Sequence, residues 1–429
     1  MREFLITDVR ARMVYNCNYI PSVEAVIEVN HKYTGWAISP KGQSTGSGEA
    51  REVLDGGEWL DGYGCSKAVE NINTEIRSAL LGLDATNQRR LDCRMIELDG
   101  TPDKSRLGGN AIVAVSAAAV KAAAAAVGLP VYRYLNNHSH ILPVPMFSLM
   151  EGAHYGFGYA SEIQEFNLFP IGADSEKEAI EICRKVHFKL GDILEKVYNP
   201  FVRLATAGGG YAIPEKVGAK NFDYIMDAIE QCGYVDKIKL GMDCAATHFY
   251  NKETGLYFFE GRERTPEEML AYWKKLVTDY PILTMEDPFD EDDVDSFVKI
   301  TEELPQIQIV GDDFFVTNPV RLKERIPRKA ASALLWKYNQ VGTITEAIDA
   351  AEVARSNGMG VQTSERSGEN EDTLYSDLTV ALDAGQTKTG CMFRAEHTAK
   401  YNRFLQIEAE LGSNAVYAGS FFKQPYMKP

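Results

Sequence analysis

Apolar runs that end in a charged residue recur four times in the second half of the chain. LGMDCAA, TMEDPF, VGDDFF and LLWKYNQ place Asp243, Glu286, Asp312 and Lys337 directly after such runs. The spacing from Glu286 to Asp312, and again from Asp312 to Lys337, is close to the length of one β-strand plus one return helix. In a parallel α/β barrel, residues at the C-terminal ends of the strands meet at one mouth. Any one of these charges could be a helix N-cap, but four in phase predict an active site.

Strand-like and helical segments alternate from Ile141 onward. The predicted strands are 163–170, 236–243, 282–287, 307–313, 331–337 and 360–364. Amphipathic stretches at 175–197 and 345–358 are predicted helices. This alternation predicts a parallel sheet, and its length favours closure into a barrel.

The first 135 or so residues have a different organisation and predict a separate domain. The predicted elements are strands over 6–15 and 22–29 and helices over about 66–83 and 109–127. The Ala-rich stretch 111–130 carries Lys121, so we expect a buried helix rather than a membrane span.

Composition narrows the possible partners and the compartment. The 429 residues carry 45 Lys and Arg against 61 Asp and Glu, a net charge of −16, which disfavours nucleic acid and anionic membranes. The seven cysteines form no CxxC pair, so neither a zinc site nor a disulfide framework is indicated. The N-terminus shows no apolar signal-peptide core. We expect a soluble, cytoplasmic protein.

The three strand-end carboxylates predict a metal site. Asp243, Glu286 and Asp312 offer acceptor oxygens that suit Mg²⁺, and three protein ligands leave positions for water and substrate. Glu286 and Asp312 are each followed by another acid, Asp287 and Asp313, and spacing alone leaves open which member of each pair would bind.

Two lysines are candidate bases. Lys337 ends an apolar strand, and Lys388 lies in GQTKTG, which predicts a tight loop. A lysine beside a metal-bound carboxylate can remove the proton α to it, since the metal stabilises the resulting ene-diolate. A lysine that pairs with the metal-site carboxylates is compatible with this role.

Arg366, Ser367 and Gly368 form a candidate anion site. They precede a helix predicted to start near Glu371, and arginine, hydroxyl and backbone N–H groups suit phosphate binding. The glycines of 208–210 favour a flexible turn, and a lone loop histidine such as His154 is more often structural.

A series of segments resembles the enolase family along the whole chain. They are KGQSTG (41–46), LDGTPDKSRLGGNAI (98–112), LPVPM (142–146), QEF (164–166), GMDCAATHFY (241–250), EDPFDEDD (286–293), GDDFFVTNP (311–319), KYNQVGT (337–343), RSGENEDT (366–373), GQTKTG (385–390) and AKYN (399–402). The resemblance implies an α/β protein: an N-terminal α+β capping domain, 1–135, and a catalytic (β/α)8, TIM-like barrel of slightly irregular topology, 141–429.

The resemblance also implies roles for the metal site and the lysines. Asp243, Glu286 and Asp312 correspond to ligands of a conformational Mg²⁺. Lys337 corresponds to the base that takes the C2 proton of 2-phosphoglycerate, and Lys388 to the lysine that neutralises the substrate carboxylate.

Other residues correspond to the family's substrate contacts. Arg366 and Ser367 match the phosphate-binding pair, and Ser44 matches a loop serine that helps to hold a second Mg²⁺. Gln164 and Glu165 match the pair near the leaving hydroxyl, with Glu165 a candidate catalytic residue.

The chain departs from the family on the leaving-group side. Segment 206–210, TAGGG, stands where the family has Gly-Asp-Glu-Gly-Gly, so Ala207 or Gly208 replaces the glutamate that protonates the departing hydroxide. Glu365 replaces a histidine beside the phosphate-binding arginine. His154 lies in a loop one residue longer than the family's histidine loop, so it is only a candidate substrate contact.

Two further departures lie outside this region. YNCNYIP (15–21) replaces the family's Asp-Ser-Arg-Gly-Asn-Pro, and Gln406 replaces an arginine of the usual dimer contact. The resemblance implies a homodimer, and Gln406 weakens that expectation.

These departures favour an altered second half-reaction. Loss of a general acid typically costs about 10²–10⁴ in rate, whereas the proton-abstracting half is complete. The leading hypothesis is a Mg²⁺-dependent enzyme with two ions that takes 2-phosphoglycerate or a close phosphorylated or phosphonate analogue to an enolpyruvyl-type product. The alternatives are a carboxyphosphonoenolpyruvate synthase of phosphonate antibiotic biosynthesis and an inactive pseudo-enolase that acts as a binding protein.

Overall fold

The N-terminal part of the chain is an antiparallel sheet covered by helices. The computed structural model describes residues 3–42, 46–153, 155 and 160–419. Its first elements are β1 (Ile6–Tyr15), β2 (Pro21–Val29), β3 (Tyr33–Ile38), α1 (Ser66–Asn71), α2 (Arg77–Leu80), α3 (Gln88–Asp99), α4 (Gly109–Val127) and α5 (Val131–Leu135). The strands pair in the order β1-β2-β3, and a π-helical turn, Ile72–Ile76, joins α1 to α2.

Helix α4 is the core of this part, as its Ala-rich sequence predicts. It packs closely on the sheet because its side chains are small: a Cβ on Gly35 of β3 would lie 2.2 Å from the backbone nitrogen of Ala122. By length and composition alone α4 could cross a membrane, but 83% of its most apolar window is buried. It is therefore a core helix.

The rest of the chain builds a closed barrel and the helices around it. The strands are β4 (Ile141–Leu142), β5 (Val144–Glu151), β6 (Glu165–Phe169), β7 (Lys239–Asp243), β8 (Tyr250–Asn251), β9 (Leu256–Phe259), β10 (Arg262–Arg264), β11 (Ile282–Glu286), β12 (Gln308–Gly311), β13 (Ala333–Trp336), β14 (Gly360–Ser364), β15 (Gln386–Lys388) and β16 (Val416–Tyr417). The helices are α6 (Glu176–Val197), α7 (Gly218–Cys232), α8 (Pro266–Asp279), α9 (Val294–Glu303), α10 (Pro319–Arg325), α11 (Ile344–Ser356), α12 (Leu374–Ala381) and α13 (Ala395–Leu411).

The barrel strands close in the order β5-β6-β7-β11-β12-β13-β14-β15. Strand β6 runs antiparallel to both neighbours, with Phe166 opposite Met242 of β7, while the other pairs are parallel. The predicted barrel, with the slightly irregular topology that the resemblance implied, is confirmed, but the parallel sheet expected from strand–helix alternation is wrong at β6. Among the described residues no helix lies between β5 and β6. Parallel neighbours need a crossover connection, usually a helix, so a strand that follows without one pairs in the antiparallel direction.

Two local predictions are also wrong. Lys388 lies in strand β15 and not in a tight loop, because the Thr-containing segment 386–388 pairs with β14 and β5 to close the barrel. Helix α12 begins at Leu374 rather than near Glu371. Ser367 is therefore seven residues before the helix, so Arg366 and Ser367 do not form a helix-start anion site.

Candidate active site

The strand-end charges meet at one mouth of the barrel. Asp243, Glu286 and Lys388 are the last residues of β7, β11 and β15, while Asp312 and Lys337 directly follow β12 and β13. Asp243, Asp312, Lys337 and Lys388 line one cavity there, and Glu286 contacts Lys388 from outside its lining. The sequence-predicted residues that line it are Gln164, Glu165, Asp243, Asp312, Lys337, Glu365, Arg366, Ser367 and Lys388.

Lys388 lies among three carboxylates. Its Nζ is 2.6 Å from Asp243 Oδ2, 2.9 Å from Glu286 Oε2 and 3.7 Å from Glu165 Oε2. Burial opposes the charged form of Lys388, but Asp243 and Glu165 raise its pKa well above the ordinary value. Burial likewise raises the pKa of Glu165 to about 7. Gln164 donates from Nε2 to Asp243 Oδ2 at 2.9 Å.

Lys337 pairs with Asp312, and both line the same cavity. Its Nζ donates to Asp312 Oδ2, and Gln340 Nε2 donates to Asp312 Oδ1 at 2.9 Å. Although burial alone would raise it, Lys337 holds the pKa of Asp312 below the usual value. Asp312 is therefore an ionised carboxylate in contact with the amine.

The structure separates the two members of each acidic pair. Asp287 accepts hydrogen bonds from the backbone N–H groups of Asp312 and Asp313, each at 2.9 Å, so it braces the loop after β12. Glu286 instead faces Lys388. Asp312 lines the cavity and Asp313 does not. Glu286 and Asp312 are thus the members of the two pairs that contact the lysines of the site.

The donor chemistry of this mouth fits a hard divalent cation. Asp243, Glu286 and Asp312 are buried carboxylates from adjacent strand ends, the ligand type that Mg²⁺ prefers. As the described residues stand, no group of three acidic, His or Cys side chains is arranged to hold an ion. The side-chain nitrogens of Lys337 and Lys388 lie among the carboxylates instead. A cation would compete with these contacts.

The anion side of the cavity centres on Arg366. Its guanidinium donates to both carboxylate oxygens of Glu49, at 2.9 and 3.1 Å, and to Asn339 Oδ1 at 3.1 Å. Burial opposes its charge, but Glu49 keeps the pKa of Arg366 above the ordinary value. Sequence reasoning missed Glu49; its only signal was the Gly- and Ser-rich composition of the segment around it.

An acid and a histidine also line this cavity. Glu365 Oε1 lies 3.0 Å from His397 Nε2, and we name these two residues the Glu365–His397 pair. Sequence reasoning missed His397, which is 32 positions from Glu365 in the chain and follows no recognisable motif. Tyr155, also missed, lines the same cavity, and burial together with Glu165 raises its pKa. Ser44 and His154 lie outside the described residues.

Comparisons with known proteins agree with this architecture. The family model described as "Enolase, N-terminal domain" matches residues 6–135, and "Enolase, C-terminal TIM barrel domain" matches residues 139–426. The chain is 46% identical to the enolase of Methanocaldococcus jannaschii over 99% of both proteins. It is 46% identical to the enolase of Bifidobacterium animalis subsp. lactis, over 97% of this chain and 98% of that one. It is 44% identical to the enolase of Thermococcus kodakarensis, over 99% of both.

Proposed function

This chain belongs to the enolase family, and we propose that it is a Mg²⁺-dependent lyase that removes the C2 proton of 2-phosphoglycerate or of a close phosphorylated or phosphonate analogue. The product would be an enolpyruvyl compound of the phosphoenolpyruvate type. One observation carries the proposal: Lys337, paired with Asp312, shares one cavity with Lys388 and Arg366. That cavity offers a base and two cations to a phosphorylated carboxylic acid.

Lys337 is the proposed base. Its amine, at the end of β13, takes the C2 proton, and Asp312 stabilises the ammonium group that results. The position of Lys337 is fixed from both ends, because its backbone N–H also donates to Thr317 Oγ1 at 3.0 Å. A fixed base loses little entropy when the substrate arrives.

Lys388 and Arg366 are the proposed binding cations, with Ser367 and Gln164 beside them. Lys388 lines the same cavity as Lys337 and suits the substrate carboxylate, and Arg366 suits the phosphoryl oxygens. Asp243, Glu286 and Asp312 would hold Mg²⁺, which when bound supplies positive charge to a carboxylate whose negative charge grows as the proton leaves. A second Mg²⁺ with Ser44 is part of the same proposal.

A phosphonate-accepting reaction of the carboxyphosphonoenolpyruvate synthase type is the second candidate. Two features of the cavity wall favour it. Positions 207 and 208 are Ala and Gly, so neither supplies an acid, and Glu365 is the neighbour of Arg366 in the chain. Such changes would alter the phosphorus group or the leaving group while leaving proton abstraction intact.

Cellular context is also part of the proposal. All seven cysteines are free thiols, which fits a cytoplasmic protein. We also propose a homodimer, which is the usual assembly in the family. Gln406 is exposed on α13, with its Oε1 3.4 Å from Arg403 Nη1.

One pair of assays tests the reaction. The protein is incubated with Mg²⁺ and 2-phosphoglycerate in D₂O, with C2 deuterium exchange followed by NMR and phosphoenolpyruvate by absorbance. We expect exchange, and we expect Lys337→Ala to lower its rate by at least about 10²-fold, as loss of a general base does. Lys239→Ala, at an exposed lysine that begins β7, is the matched control and should leave exchange unchanged.

The outcomes separate the hypotheses. Exchange with product supports an enolase reaction, and exchange without product supports the phosphonate candidate. If the wild type shows neither with 2-phosphoglycerate or a phosphonate analogue, the chain is a binding protein and the proposed chemistry is wrong.

A further inference from the structure

The Glu365–His397 pair has a defined hydrogen-bonding arrangement. His397 Nδ1 lies 2.8 Å from the backbone carbonyl of Cys391. A carbonyl oxygen can only accept, so Nδ1 carries the hydrogen and Nε2 faces Glu365 Oε1. The Glu365 side chain is 9% exposed and the His397 side chain 3% exposed. The pair is therefore a buried acid–imidazole contact at the cavity wall.

The fold leaves room for this contact at Gly390. Gly390 has φ +62°, and a Cβ there would lie 2.7 Å from Glu365 Oε1 and 2.8 Å from His397 Cε1. The same segment adjoins the loop that lacks an acid, since the backbone N–H of Cys391 donates to the Gly208 carbonyl at 2.8 Å. The pair thus stands next to the acid-free loop and faces the same cavity.

The surroundings place one proton on the carboxyl group. Burial raises the pKa of Glu365 well above its ordinary value, and burial lowers the pKa of His397 to about 4. The charged groups around the pair are Lys400, Glu369, Glu396, Arg394 and Glu165. Lys400 is paired with Glu369 at 2.7 Å and Arg394 with Glu396 at 2.5 Å, so each cation already faces another carboxylate.

The second oxygen of Glu365 is available. Oε2 is buried and has no hydrogen-bond partner among the described residues. A buried oxygen without a partner costs free energy, whereas a substrate oxygen in the cavity would relieve that cost. Glu365 is thus an acid with one oxygen held by His397 and the other unengaged.

We propose that Glu365, positioned by His397, is the acid that protonates the leaving oxygen of the substrate. The inference rests on the proposed function. Lys337 takes the C2 proton, and the electron pair of the C2–H bond becomes the C2=C3 double bond. The C3–O bond then breaks with its electron pair on oxygen. The carboxyl group of Glu365 rotates about its Cγ–Cδ bond so that its protonated oxygen turns from His397 to the cavity, and the leaving oxygen takes that proton and departs as water. Glu365 remains as a carboxylate and regains a proton from solvent.

Glu365→Gln tests the acid directly. Glutamine keeps the shape of the side chain and can still donate to His397 Nε2, but it has no acidic proton. With 2-phosphoglycerate and Mg²⁺ in D₂O we expect C2 exchange within threefold of wild type and phosphoenolpyruvate formation at least about 10²-fold slower. Retained exchange also demonstrates that the variant is folded.

His397→Gln tests the positioning role. We expect product formation to fall with exchange retained, and the pH profile of product formation to shift because the partner of Glu365 has changed. Glu396→Gln is the matched control: its Oε1 lies 4.0 Å from His397 Nε2, and Glu396 does not line the cavity. It should form product within threefold of wild type.

Each remaining result overturns the assignment. If Glu365→Gln forms product at the wild-type rate, Glu365 is not the acid, while the proposed function stands. If it loses exchange and product equally, Glu365 acts in binding or folding instead. If the wild type exchanges the C2 proton but forms no phosphoenolpyruvate, Glu365 does not protonate a departing hydroxide. If the wild type shows neither exchange nor product, the proposed function is wrong as well.

Discussion

The carboxylate of Glu151 accepts a hydrogen bond from the backbone N–H of Gly208 at 2.9 Å. Glu151 ends β5, and it also accepts from the Gly210 N–H at 3.1 Å and from Ser148 Oγ at 3.0 Å. A Cβ on residue 208 would lie 2.3 Å from Glu151 Oε1. The buried carboxylate of Glu151 and a side chain at position 208 therefore exclude each other, which accounts for a glycine in the loop.

Gly208→Ala should destabilise the protein by about 1–3 kcal/mol, since it forces a methyl group against a pinned carboxylate. Glu151→Ala should also destabilise it, because two backbone N–H groups lose their acceptor. The double variant should be more stable than the sum of the two effects predicts, because shortening residue 151 removes the clash. Thermal unfolding of the four proteins measures this coupling, and strict additivity would contradict it.

His187 should make stability depend on pH. It is stacked on Tyr211, with ring centroids 4.3 Å apart, and burial, with a smaller effect of Arg203, lowers its pKa to about 4. The unfolded chain, with a histidine pKa near 6.5, takes up the proton first on acidification. The stabilisation is therefore complete above about pH 6.5 and is lost as the pH falls to about 4, on the order of 3 kcal/mol in all.

His187→Phe should flatten the fall in melting temperature between pH 6.5 and 4. Part of the slope should remain, because His397 shifts in the same direction. His31→Gln, at a side chain that is 80% exposed, is the control and should keep the wild-type slope. An unchanged slope in His187→Phe would show that His187 is protonated in the folded protein.

Mg²⁺ should raise the melting temperature through Asp243. A ligand that binds only the folded state stabilises by about 2.7 kcal/mol at a hundred times its Kd. Asp243→Asn removes one proposed ligand charge, so the rise on adding Mg²⁺ should shrink, and EDTA should abolish it in the wild type. Asp292→Asn, at a carboxylate that is 61% exposed, should respond as the wild type does. An equal rise in Asp243→Asn would exclude Asp243 as a ligand.

Local patterns in the chain were enough to predict much of the fold and about half of the residues that line the site. Strand–helix alternation predicted a closed barrel because it reflects which residues face a core over short distances in sequence. The apolar runs ending at Asp243, Glu286, Asp312 and Lys337 placed those charges correctly, since the C-terminal end of a parallel barrel strand has one direction.

The reversal of β6, the identity of Glu49 as the partner of Arg366, and the Glu365–His397 pair had no such signal. Each joins segments that are distant in the chain or depends on how the barrel closes, and no local period of hydrophobic residues records such a contact. The amino-acid order therefore specified the barrel and the charges at its strand ends, because both follow from strand periodicity. Tertiary packing decided which acid lies against His397 at the cavity wall, because burial and a neighbouring imidazole, not sequence position, determine where a proton is held.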